Sequence, residues 1–146
     1  MNDIANADLL IEQNPDAMIF ADLKGIIGVW NQAAVRIFGF SKDEALGASL
    51  DIIIPESLRA AHWQGYDRAL QEGKTKYTGQ SLPTKAVRAD GSSIYVELGF
   101  SIVVDPNGLV LGSLANAREI TARYKQERAN QKRMQELETL AGKKGA

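Results

Sequence analysis

The sequence predicts an α+β fold, a five-stranded antiparallel sheet with short helices packed on one face. Three observations carry this. The patterns run strand, strand, several short helices, one longer helix and three further strands, which segregates helices to one side of an antiparallel sheet. The last strands are joined by two hairpin signals, Asp90-Gly91 and Asp105-Pro106-Asn107-Gly108. Between those signals Ile94, Val96, Leu98, Phe100, Ile102 and Val104 alternate with Tyr95, Glu97, Gly99 and Ser101, the period-two pattern of a half-buried strand.

The elements follow in order. Residues 3–13 read as a short helix with Ile4, Leu9 and Leu10 on its apolar side, ended by Asn14-Pro15. Residues 18–21 and 26–30 read as strands around the turn Asp22-Leu23-Lys24-Gly25. Asn31 starts a helix whose inner face is Ala34, Ile37 and Phe38, stopped at Gly39. Ser41 and Glu44 form a capping box, so a second short helix follows at once and ends near Gly47. After an apolar connector, Pro55 suits the first turn of a helix over residues 56–72, because the missing N–H has no partner there in any case. Residues 78–88 read as a strand that Pro83 confines to an edge or a bulge. Residues 109–120 form the last strand. From Ile120 the chain turns charged and rich in helix formers, which predicts a final helix of about 20 residues. Its apolar positions Ile120, Tyr124, Met134, Leu137 and Leu140 fit a heptad only loosely, with Glu127 and Gln131 on the seam. A strong autonomous coiled coil is therefore not supported.

Composition narrows the function. The chain has 146 residues, 45% of them apolar, enough for one domain around one core. A formal net charge of −1 gives no global field toward nucleic acid or an anionic membrane. The basic residues Arg123, Lys125, Arg128, Lys132 and Arg133 alternate with Glu127, Glu136 and Glu138, a solvated helix face and not a nucleic-acid stripe. The absence of cysteine excludes disulfides, thiolate metal sites, thiol catalysis and cysteinyl–flavin photochemistry, and fits a reducing compartment. The N-terminus has no basic segment followed by an apolar one, and no apolar run reaches the ~18 residues of a membrane span. A soluble, cytoplasmic protein with no membrane partner is expected. No nucleophile elbow, zinc-protease motif, phosphate loop or dinucleotide fingerprint occurs, and Glu12, Asp16, Asp22 and Asp43 read as caps, turns and surface. The sequence is thus not read as an enzyme.

The stretches GVWNQAAVRIFGFSKDEALGASL, IIPESLRAAH, RADGSSIYVEL and LANAREIT, in that order and spacing, resemble a PAS domain over residues 7–121. The resemblance implies a PAS fold at residues 15–119, an N-terminal helical cap at residues 1–14, and a signalling or dimerisation helix and tail at residues 120–146. It implies a homodimer through the N- and C-terminal helices, and an output protein as partner.

The only histidine, His62, lies in the longer helix. At about 100° per residue, Leu58, His62, Gly65, Tyr66 and Ala69 share the face turned toward the sheet. A neutral imidazole in an apolar cleft can hold the iron of a haem, and one such ligand is enough. The segment IIPESLRAAH is similar to that of haem-binding PAS sensors, the oxygen-sensing kinases and phosphodiesterases, and this resemblance implies His62 as the proximal ligand of haem b. It also puts Gln80 where one subfamily has a methionine iron ligand, and Leu82 where several have an oxygen-stabilising arginine. Leu82 cannot donate a hydrogen bond, whereas Gln80 has an amide that can. Tyr66, one turn beyond His62, closes the pocket or packs in the core. Trp30 packs in the core, and Trp63 lies at the margin of the buried stripe. Two functions stay open. One is a haem sensor of a diatomic gas or redox state; the other is a cofactor-free interaction module or small-metabolite sensor, with the imidazole satisfied by the protein itself.

Overall fold

The computed structural model describes residues 6–75 and 79–144. The N-terminal helix α1 covers Ala7–Glu12, capped by the Asn6 side chain. Strands β1 (Ala17–Asp22) and β2 (Ile27–Trp30) form a hairpin, and the short helices α2 (Gln32–Phe38) and α3 (Lys42–Ala45) follow. The predicted capping box is present, with Ser41 and Glu44 each holding the other's backbone N–H. Gly39 closes α2 with a φ of 81°, a left-handed value that glycine adopts without a Cβ penalty.

The apolar connector coils into a 3₁₀ turn at Leu50–Ile53, capped by the Ser49 side chain. A second 3₁₀ turn at Glu56–Leu58 leads into α4 (Arg59–Glu72), so the predicted start at residue 56 is helical but tighter than an α-helix. Strands β3 (Ser81–Val87), β4 (Ser93–Val104) and β5 (Val110–Glu119) complete the sheet. The predicted first residue of β3, at position 78, lies outside the described residues, as do residues 3–5 of the predicted N-terminal helix. Helix α5 runs over Thr121–Lys144.

The sheet order is β2-β1-β5-β4-β3, antiparallel throughout. β3 is an edge strand, which accommodates Pro83. The helices cover one face, and the core lies between them and the inward residues Ile19, Ala21, Ile94, Val96 and Ala117. Trp30 is buried there, its indole N–H donating to the Phe40 carbonyl at 3.0 Å. The alternation along β4 weakens after Val96: Ile94 and Val96 are buried, Leu98 and Phe100 are half-buried, and Val104 is exposed. Tyr66 of α4 lies over Phe100, with ring centroids 6.2 Å apart.

Asn31 does more than cap α2. It is fully buried, and its Oδ1 accepts from the Met18 and Ala34 N–H groups while Nδ2 donates to the Ile11 and Asp16 carbonyls. One amide thus joins the end of α1, strand β1 and the start of α2. An ion pair between Lys42 and Glu12 adds a second link from α1 to the helical layer.

Candidate functional site

The site is built where α4 faces the sheet. Tyr66 and Ala69 are the buried residues of this helix, and His62 is half-buried one turn before Tyr66. Tyr66 is pinned by hydrogen bonds. Its Oη donates to the Asp22 carbonyl at 2.6 Å and accepts from Ser113 Oγ at 3.2 Å. Burial pushes the Tyr66 phenol up from its ordinary pKa, so it stays protonated and keeps its donor.

His62 stands at the wall of two adjoining cavities. The inner one, of about 150 Å³, lies under Leu50, Ile53, Ile54 and Leu58 and against Val96, Ser113 and Ala115 of the sheet. The second, of about 370 Å³, opens along α4 past Gly65, Arg68 and Lys74. His62, Leu98 and Phe100 border both. Gly65 leaves open space beside this helix: nothing lies within 4 Å of where a Cβ would stand.

The imidazole sits among aromatic rings. The Trp63 ring meets it edge-on at 4.7 Å, and the Tyr66 ring lies 5.7 Å away. Its Nδ1 is buried and finds no hydrogen-bond partner among the described residues. Burial holds the His62 pKa below its ordinary value, partly offset by the nearby Asp51 carboxylate. The ring is therefore neutral near pH 7, the form that binds a metal. A neutral, unpartnered imidazole against apolar walls fits the donor chemistry of a haem ligand. Among the described residues there is no group of three or more His, Cys, Asp or Glu that could hold a bare metal ion.

The other singled-out residues separate. Tyr66 joins His62 at the second cavity. Leu82 pairs in register with Leu98 and shares its inward face, but it is 38% exposed at the sheet edge and does not border the inner cavity. Gln80, just before β3, borders a groove with Ser81, Gly99, Phe100, Ser101 and Asn116. Phe100 lines both cavities beside His62, whereas Gln80 lines neither. Leu111 of β5 is exposed and lies outside both cavities.

Several contributors were not singled out from the sequence. Ser113 is buried on the inward face of β5 and anchors Tyr66; a lone hydroxyl at an inward position of an apolar strand was its only signal. Asp51 accepts the Trp63 indole N–H at 2.8 Å. Its signal was a single carboxylate inside the apolar stretch SLDIIIP.

Comparison with known proteins agrees with this architecture. A family model described as the PAS fold matches residues 6–120. The oxygen sensor protein DosP of Escherichia coli (strain K12) is 30% identical over 95 residues, 65% of this chain. The sensor protein FixL of Bradyrhizobium diazoefficiens is 34% identical over 84 residues, 58% of this chain. The chain spans only 11% and 17% of the length of these two relatives. The crystal structure of a PAS domain from Colwellia psychrerythraea superposes with a TM-score of 0.68 at 22% identity, covering 79% of this chain and 94% of that one. No helix among the described residues is long and apolar enough to cross a membrane.

Proposed function

This chain belongs to the PAS family as a sensory module, and from that premise we propose that the cleft between α4 and the sheet binds haem b through His62 to sense a diatomic gas or redox state. The observation that carries the proposal is the neutral His62 imidazole, with its buried and unpartnered Nδ1, at the wall shared by two cavities. Ligand pockets usually measure about 300–1,000 Å³, so the inner cavity alone is below that range, and withdrawal of Leu98 and Phe100 would merge it with the second. Bound there, haem would supply an iron with a position open to a diatomic gas and a one-electron redox couple.

The chain's own residues give the site its character. Leu98 and Phe100 present hydrocarbon to the shared wall and exclude water. Leu82 has no donor, and Gln80 lines neither cavity beside His62. With leucine in place of an arginine at position 82, we expect weak discrimination for oxygen against carbon monoxide or nitric oxide. An oxygen affinity equal to that of arginine-bearing sensors would contradict this.

Output follows from β4. Val96 and Leu98 border the inner cavity, while the alternate residues Tyr95 and Glu97 hold α5. Leu9 and Leu10 of α1, with Met134, Leu137 and Leu140 of α5, are exposed apolar residues. We assign to these two helices the contacts of a homodimer and of an output partner. A ligand drives this switch only by binding one arrangement of cleft and helix better than another.

A second reading has its own support. An inner cavity of about 150 Å³ is the size of a small apolar metabolite, not of a macrocycle. The deciding experiment is a visible absorption spectrum of protein expressed with haem supply, beside His62→Ala. A Soret band in the parent that is lost or shifted in the variant supports haem on His62. No band after haemin reconstitution removes that reading and leaves the small-metabolite one.

A further inference from the structure

We propose that Trp63 is a positioning residue for His62 and acts through Asp51. The inference rests on the reading of His62 as the ligand-binding residue. Helix α4 starts without a side-chain cap, and its buried residues are Tyr66 and Ala69, both C-terminal to His62. Burial of the helix itself thus does little to fix the turn that carries the imidazole, and the indole ring supplies the missing constraint.

The indole is held on three sides. Its N–H donates to Asp51 Oδ1 at 2.8 Å. Its six-membered ring lies so close on Gly25 that a Cβ there would come within 2.1 Å of Cη2. Its edge meets the His62 ring at 4.7 Å and 77°. Each of these supports is itself anchored. The Leu50 N–H donates to the Gly25 carbonyl at 3.0 Å, joining the β1–β2 turn to the 3₁₀ turn that carries Asp51. Arg59, the first residue of α4, donates to the Ile54 carbonyl at 3.2 Å and the Asp51 carbonyl at 3.3 Å. The β1–β2 turn, the 3₁₀ turn and the start of α4 therefore close around one indole, and His62 packs against it. Leu58, just before α4, and His62 line one side of the inner cavity, so this clamp sets where that wall stands.

The test compares Asp51→Ala, Asp51→Asn and Trp63→Phe with the parent. Asparagine keeps an oxygen acceptor for the indole N–H and removes only the charge; alanine removes the acceptor, and phenylalanine removes the donor. In cofactor-free protein, amide hydrogen exchange at residues 59–66 is expected to quicken about tenfold in Asp51→Ala and Trp63→Phe, the loss of one hydrogen bond. Exchange in the sheet stays unchanged, and Asp51→Asn matches the parent. In haem-supplied protein, the Soret band of the alanine and phenylalanine variants is expected to shift or weaken, with rescue by asparagine. Unchanged exchange at 59–66 in both disruptive variants overturns the proposal, as does an asparagine variant as damaged as alanine. A parent without a Soret band removes the haem reading alone, because exchange in cofactor-free protein still decides the role of Trp63.

Discussion

Tyr66 Oη donates a 2.6 Å hydrogen bond to the Asp22 carbonyl, joining the middle of α4 to the end of β1 across 44 residues of chain. The same oxygen accepts from Ser113 Oγ, so helix, β1 and β5 meet at one phenol. Tyr66→Phe keeps the ring and removes both bonds, together with a longer one to the Ala21 carbonyl at 3.3 Å. The Asp22 carbonyl retains the Gly25 N–H, so it is not left unpaired. The expected cost is about 1–2 kcal/mol, read from the urea midpoint at unchanged m-value.

Asn31→Ala should cost more. It removes four hydrogen bonds from a fully buried position and leaves two backbone carbonyls and two N–H groups to find other partners. A loss of roughly 3 kcal/mol or more is expected. Asn31→Asp should also destabilise, because a carboxylate cannot donate to the Ile11 and Asp16 carbonyls. Limited proteolysis near residues 12–16 would report release of α1 in both variants.

Stability should depend on pH through His62. Burial lowers its pKa in the fold, and the Asp51 carboxylate offsets part of this. The unfolded chain protonates near the ordinary value of about 6.5, so below that pH it binds the proton first. Stability is then fully present above about pH 6.5 and declines as pH falls through that value toward the lower folded pKa. Urea midpoints of the parent and His62→Gln across this window should converge on acidification. Parallel curves would show that the imidazole carries no such linkage.

Tyr124→Ala should loosen the root of α5. The Tyr124 ring stacks on Tyr95 at 3.9 Å, and the Arg128 guanidinium lies over the Tyr124 ring at 5.9 Å. The Tyr95 backbone also accepts from the Ile120 N–H at 2.8 Å and donates to Thr121 Oγ1 at 3.0 Å. Losing the stack should cost about 0.5–1.5 kcal/mol beyond lost area, with faster exchange in the first two turns of α5 and none in α2.

Much of the fold was legible because its signals are local. The capping box at Ser41 and Glu44, the stop at Gly39, the two hairpin turns and the alternation at 94–100 are each set by neighbours within a few residues. The 3₁₀ turn at Leu50–Ile53 was not legible, because SLDIIIP has neither helical nor strand period and its shape follows from contacts with the β1–β2 turn. The site was legible in part. The helical wheel brought His62 and Tyr66 to one face, and the cavities lie on that face. It could not see that Leu58 would border a cavity while remaining exposed, nor that Trp63 would reach across to Asp51.

Periodicity, caps and turn chemistry in the chain decided that there would be an antiparallel sheet, which face of β4 would turn inward, and which face of α4 would carry the imidazole. Tertiary packing decided what that imidazole meets. Whether its Nδ1 finds a partner, which residues wall the two cavities, and whether Gln80 and Leu82 reach them depend on contacts between segments far apart in sequence. A pairing between two strands is a choice of register, and a one-residue slip in it would turn every side chain of β3 to the other sheet face, which no local pattern within the strand prevents.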